Sequence, residues 1–392
     1  MDAAARRLLI VIGAVAFVRG LLPGASFDRL FELSRGVVRT PPAWIPYAPL
    51  VGGLIILAAL YAFGVRPRIA AIVGLLLLAL GGAGEHLATD LGAYLSAQAS
   101  TNLGRMLCTA AFLALAVECL PRRWLLLAPL TTLVLAQAGN YLSGVTFDVL
   151  VPEGARPTAA TILLTVTALG AAVAIAAQPM AENGEVAAKP LRNGARLQLL
   201  SIVVLATLGT LFFLVPAVPL GAPPLGAVSG LSADLLRFAL WVLVPAALLG
   251  WLLHRGAGLG EAIRMIALAG IVAIVAGWAV LPLRGWAGSF GNALLPLLIS
   301  LVTLRIAIAS PLSGRMAAAF LPALVMLIAS AGGWWFHITL VDPSSRSLSG
   351  HPAAGTVLLL FFSVVMAALL SLPRSGGTGR VESDLTPTPS ES

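Results

Sequence analysis

The apolar positions of this chain come in long runs, neither in the alternation of a half-buried sheet nor in the one-sided stripe of a soluble helix. About twelve runs are long enough to cross a bilayer as helices. They lie near 7–22, 47–64, 67–84, 103–120, 124–142, 157–178, 197–216, 233–253, 263–283, 291–310, 315–335 and 353–372. The second and third are joined only by Gly64-Val-Arg-Pro-Arg68, which predicts a tight hairpin. The longest central polar stretch runs from Gln178 to Gln198 and splits the apolar chain into halves of similar length. The predicted organisation is a six-helix bundle over 1–178, a cytoplasmic linker over 179–197, a second six-helix bundle over 198–372 and a polar tail over 373–392. Low complexity and lack of apolar residues mark that tail as disordered and cytoplasmic.

Two stretches half a chain apart repeat one another. Pro129 to Tyr141 reads PLTTLVLAQAGNY and Pro322 to Trp334 reads PALVMLIASAGGW. Without a gap, Pro129 aligns with Pro322, Gln137 with Ser330, Gly139 with Gly332 and Tyr141 with Trp334. Pro157-Thr-Ala-Ala-Thr161 is echoed by Pro352-Ala-Ala-Gly-Thr356 with one insertion. Such self-similarity marks an architecture made by doubling one unit. Each half holds an even number of spans, so both insert in the same sense and are related by an axis along the membrane normal. The fold class is therefore an all-α polytopic membrane protein of about 12 transmembrane helices in two parallel six-helix repeats.

Composition makes lipid the solvent. Hydrophobic residues are 59% of the chain and charged residues 10%, against roughly 25% charged in a soluble domain. The net charge of +8 does not point to nucleic acid, because the basic residues stand singly at the ends of apolar runs with no basic stripe. With the N-terminus inside, fifteen of the 24 basic residues fall on the cytoplasmic side. Nine fall outside, Arg19, Arg105 and Arg156 among them. The bias orients the chain in a bacterial-type inner membrane with both termini cytoplasmic. Arg6-Arg7 before Leu8–Val18 resembles the start of a signal peptide, but Arg19 interrupts it, and an uncleaved first helix is expected. Cys108 and Cys119 lie in one predicted helix about 16 Å apart, beyond disulfide reach.

Polar residues inside spans are the pointers to function. Gln137 and Asn140 share a helix face near the outer end of the fifth run, with Tyr141 beside them. Ser330, Trp334 and Trp335 are the counterparts in the eleventh. Together the six form a candidate substrate site, or else interhelical hydrogen bonds and an aromatic belt. Glu118 is the acidic residue inside an otherwise apolar run, three residues before Pro121-Arg-Arg123. It reads as a coupling carboxylate or as a partner of Arg122 or Arg123. Glu85, His86 and Asp90 follow the glycine-rich end of the third run and read as a solvated helix end pairing with Arg105. Asp28 and Glu32 sit in a short amphipathic stretch, Phe27 to Val38. Pro129 and Pro322, placed about two turns into their helices, are expected to bend them. Ala269, Ala273 and Gly277 make a small-residue stripe for close packing. No paired histidines, Cys-x-x-Cys, Walker motif or nucleophile elbow occurs, so no catalytic residue, metal, cofactor or ATP drive is expected.

Twelve spans, a six-plus-six repeat and a cytoplasmic mid-chain linker resemble the major facilitator superfamily. The loop Gly64–Arg68 keeps the glycine and two basic residues of that family's inner-loop signature and lacks its carboxylate. The resemblance implies that helices five and eleven face a central cavity. It also implies a secondary transporter, here of a small neutral or amphiphilic molecule. Two alternatives stand beside it. One is a scaffold or accessory subunit with a partner in a membrane complex. The other is an enzyme acting on a lipid-linked substrate at the outer face through Asp28 or Glu32.

Overall fold

The structure, a computed structural model, describes residues 3–21, 33, 48–177, 242–279 and 284–336 of the 392. Among them the chain forms ten α-helices and no strand. These are α1 (Ala3–Leu21), α2 (Ala48–Phe63), α3 (Pro67–Leu87), α4 (Leu91–Cys119), α5 (Leu127–Leu150), α6 (Arg156–Ala176), α7 (Val244–His254), α8 (Leu259–Ala279), α9 (Arg284–Ala309) and α10 (Arg315–Phe336). The runs predicted at 197–216 and 353–372, the linker, the tail and the Phe27–Val38 stretch with Asp28 and Glu32 fall outside the described residues or almost wholly so. Three of the described helices, at Pro67–Leu87, Leu91–Cys119 and Thr158–Ala176, are each long and apolar enough to cross a membrane.

The punctuation of the chain explains its helix ends. Proline opens α3 and α6, where a missing N–H costs nothing. Asp90 caps α4, its side chain accepting from the Ala93 N–H at 2.9 Å. The α2–α3 hairpin turns on Gly64, whose φ of +56° suits a residue without Cβ, and the α7–α8 turn uses Gly256 in the same way. The fourth and fifth helices are joined by Pro121 and a 3₁₀ turn at Arg122–Trp124. The ninth and tenth are joined by Pro311 and a 3₁₀ turn at Leu312–Gly314. The repeat therefore extends to the connections. Arginine marks this end of the bundle: Arg66, Arg68, Arg122, Arg123, Arg255 and Arg315 all lie in or beside these turns.

The proline expectation is half corrected. α5 begins at Leu127, so Pro129 is its third residue and bends nothing. Pro322 does lie inside α10. The difference arises because α10 starts directly after its 3₁₀ turn, whereas Leu125 and Leu126 still form a turn before α5.

Small residues set the packing of the first half. α3 and α4 lie against each other along their length. A Cβ on Gly74 would come within 2.9 Å of the Cys108 amide nitrogen, and one on Gly104 within 2.8 Å of the Gly74 carbonyl oxygen. The repeated Gly139 has the same use. It brings α5 onto the α1 backbone at Phe17 and Gly20. Because backbone meets backbone at Gly104, Gly104→Val is expected to destabilise the protein by more than about 2 kcal/mol. The check is a thermal melt of the full-length chain in detergent, with Gly170→Val as control, since open space surrounds Gly170.

Two apolar cores hold the described helices. The first includes Leu75, Leu78, Ala111 and Leu115 of the first half, and also Leu304, Met316, Phe320 and Leu324 of the second. The other is built on Leu249, Leu252, Ile263, Leu298 and Leu301, and takes in Leu126, Leu130 and Leu133. Each core thus reaches across the seam between the halves. Ala269 of the predicted small-residue stripe packs against the second core.

Candidate functional site

The seam is locked at the arginine-rich end by one buried ion pair. Arg315 opens α10, and its Nη1 donates to Glu118 Oε1 at 3.2 Å, from the last turn of α4. The side chains are 6% and 15% exposed, so water screens the pair little. Arg66 of the α2–α3 hairpin is close enough for its charge to act on Glu118. The same hairpin sits on the second half through Gly64, next to the Ser313 carbonyl. Glu118 of α4 thus stands beside the basic Gly64–Arg68 loop. This corrects the pairing expected for Glu118. Arg122 and Arg123 are exposed, and Arg123 lies over the Trp124 ring at 5.6 Å instead. Nothing local in the sequence marks a partner 197 residues away. The available signal was positional: both residues flank a helix–proline–3₁₀ connection that the chain uses twice.

Of the six residues predicted to line a site, Gln137 is half-buried on α5. Leu130 and Leu133 of the same helix face pack on the second-half core, so helical spacing puts Gln137 on the seam side, one to two turns further along. Asn140 and Tyr141 belong to α5, and Ser330, Trp334 and Trp335 to α10; their side chains lie outside the described residues. α5 packs mainly on α1, and α10 on α2, α4 and α9. The two repeat helices thus flank the seam with different neighbours.

A second polar group lies on the first half. Thr101 Oγ1 of α4 donates to Glu85 Oε1 of α3 at 2.6 Å, and Arg105 is within electrostatic reach of Glu85. The ion pair expected between Glu85 and Arg105 does not form among the described residues, and Glu85 accepts from Thr101 instead. Asp90 is occupied as the α4 cap, and His86 Nε2 lies 3.3 Å from Thr158 Oγ1 of α6. These residues are spread over separate contacts, and no metal-binding group of His, Cys, Asp or Glu occurs among the described residues. Cys108 and Cys119 are free thiols, Cys108 buried against α3.

The position of Arg105 departs from the sequence expectation. The sequence puts it at the outer end of the fourth apolar run, which starts near 103. The helix starts at Leu91, so Arg105 stands midway along it. Ser96, Thr101, Asn102 and Arg105 depress the hydropathy of that outer half and hide it from an apolar-window reading.

No protein-family model and no curated protein matches the sequence. Solved structures do share its fold. A major facilitator superfamily transporter, FucP, in the outward conformation, aligns with a TM-score of 0.65 at 13% identity, covering 94% of this chain and 99% of that one. The human organic anion transporter MFSD10 aligns with a TM-score of 0.65 at 13% identity, covering 94% and 100%. A bacterial homologue of the iron transporter ferroportin, in the outward-facing state, gives 0.65 and 13%, covering 94% and 99%. The chain has the fold of the major facilitator transporters and is a multi-pass membrane protein.

Proposed function

We propose that the protein is a secondary transporter of a small molecule, working by rocking its two halves about a central seam. The observation that carries the reading is the Glu118–Arg315 pair, with the Arg66 and Gly64–Ser313 contacts around it. These join the halves at the arginine-rich end of a duplicated bundle. A buried ion pair is a good two-state device, because parting it requires both charges to regain water together. In this proposal the arginine-rich end faces the cytoplasm of a bacterial-type inner membrane, as the excess of basic residues there favours. Residues 1–178 and 198–372 form the halves, and 179–197 joins them. The closed pair then corresponds to the outward-open state, and Glu118 acts through Arg315 as the latch. Gln137 and Asn140 face the pathway from α5, and Ser330, Trp334 and Trp335 approach it from α10. An amphiphilic substrate suits this mixture of amide, hydroxyl and aromatic groups better than a strongly hydrated one.

The test is flux of a labelled compound library into proteoliposomes containing the full-length chain. At least one compound is expected to accumulate, and the combined Gln137→Leu and Asn140→Leu variant is expected to slow it by tenfold or more, about 1.4 kcal/mol. Unchanged flux in that variant would remove the site assignment, and no flux of any compound would remove the transporter.

A further inference from the structure

Three helices carry accessible stripes of the same spacing, and the stripes differ in chemistry. The exposed face of α3 holds Ile69, Val73, Leu76 and Leu80, and that of α6 holds Ile162, Val166, Leu169 and Val173. Steps of four, three and four residues put each set on one side of its helix. Both sets are wholly apolar, as contact with hydrocarbon requires. On α4 the same steps run through Gln98, Asn102, Arg105 and Thr109, which are exposed or half-buried. All four are polar.

Lipid is not what this face of α4 meets. The helix packs on α1, α2 and α3 of the first half and on α9 and α10 of the second. Thr101 and Gly104 turn to α3, and Leu103 lies against Gly52 of α2. From Ala110 to Ala116 every residue is buried, so that stretch has no side open to lipid. The stripe continues through it as Phe112 and Ala116, in the same steps, at 7% and 0% exposure. One face is thus polar and accessible for about 16 Å, then apolar and closed from Phe112, about two turns before Glu118. Polar groups turned to hydrocarbon at mid-helix are strongly disfavoured, so the accessible part faces water between the helices.

We propose that this stripe of α4 is the polar wall of the substrate path, with Phe112 as its floor, and that it takes the oxygen-bearing part of a small organic molecule. The proposal rests on the transporter reading and names its substrate class. Thr109 Oγ1 donates its proton to the Arg105 carbonyl oxygen at 2.8 Å and is left with lone pairs alone. The donors of the face are the amide groups of Gln98 and Asn102 and the guanidinium fork of Arg105. Their N–H groups outnumber the acceptor oxygens beside them, so a ligand rich in acceptor oxygens suits the stripe. An open stripe above a closed floor also matches a bundle locked at the arginine-rich end, where Glu118 holds Arg315.

Single cysteines in a Cys108→Ala, Cys119→Ala background test the path, with the full-length protein in nanodiscs and a water-soluble maleimide as probe. Asn102→Cys and Thr109→Cys are expected to label about tenfold faster or more than Val73→Cys on the apolar face of α3, because the reactive thiolate forms in water and not in hydrocarbon. They are expected to outpace Ala116→Cys, below the floor, by as much. Thr109→Cys is close to threonine in size and keeps the test open should Asn102→Cys fail to fold. Stripe positions that label as slowly as Val73→Cys would overturn the proposal, and Ala116→Cys labelling as fast as Thr109→Cys would remove the floor. Uptake into proteoliposomes then tests the substrate. The compounds taken up are expected to carry acceptor oxygens, and Asn102→Leu and Thr109→Val are each expected to slow uptake about tenfold or more, as loss of a hydrogen bond to the ligand implies. Uptake confined to compounds without such oxygens would overturn the class. Fast labelling of the stripe without uptake of any compound would retain the water path and reject the transporter. Uptake indifferent to both substitutions would retain the transporter and reject the stripe as its site.

Discussion

Replacing Glu118 with alanine is expected to open the arginine-rich end of the protein. The change leaves Arg315 charged and 6% exposed, without the carboxylate that its Nη1 reaches at 3.2 Å. Removing one partner of a buried pair costs about 3–5 kcal/mol, because the other is left uncompensated. If that cost falls on the closed state alone, the closed-to-open ratio drops on the order of a hundredfold or more. A cysteine at Met316, which is fully buried at the seam, reports it. In a Cys108→Ala, Cys119→Ala background, a water-soluble maleimide is expected to label Met316→Cys slowly. Adding Glu118→Ala is expected to speed labelling by that factor. Arg315→Ala should act alike. The charge-exchanged pair, Glu118→Arg with Arg315→Glu, should recover only part of the closure, because Arg66 would then face a like charge. Labelling as slow in both alanine variants as in the parent would show that the pair is not a latch.

Gly139→Leu is expected to cost still more of the folded protein. A Cβ at that position would overlap the Phe17 carbonyl group and come within 3.1 Å of the Gly20 Cα. These are backbone atoms, so no rotamer change relieves the clash. Either α1 must move as a body, taking Leu8 and Ile12 out of the core, or the repeat unit fails to assemble. Overpacking against adaptable side chains costs about 1–3 kcal/mol, and this case lies above that range. The check is the melting temperature and the monodisperse fraction in mild detergent. Gly139→Ala should be intermediate, and Gly154→Leu, in open space, close to the parent. A Gly139→Leu protein as stable as the parent would refute the close approach. Gly332, its repeat partner in α10, is expected to show the same sensitivity.

Much of the architecture was legible because the bilayer demands long apolar runs. The described helices answer, wholly or in part, to ten of the twelve expected runs, and the hairpin at Gly64 falls where the sequence puts it. The repeat was legible for a packing reason: Gly139 is retained where two backbones touch. Legibility fails where polar residues interrupt the apolar run of a helix. The outer half of α4 carries Thr101 and Arg105, so its hydropathy falls and its start was placed twelve residues late, near 103 instead of at Leu91. Arg105 was consequently counted among the outer basic residues that report orientation. Glu118 was legible as unusual but not in its role, because its partner comes from the other half. A pairing between two folded halves leaves no local spacing in a sequence. Pro129 was misread for a simpler reason. An apolar run does not reveal that Leu125 and Leu126 are still a turn.

The most direct test of the two-state account is the distance across the closed end. Spin labels on Phe63→Cys at the end of α2 and Leu312→Cys in the turn before α10 use two exposed positions, in a background without Cys108 and Cys119. The account predicts a short distance and a second, longer one in the parent protein, with Glu118→Ala moving the population to the longer. A single short distance, unaltered by Glu118→Ala and by any transported compound, would contradict it.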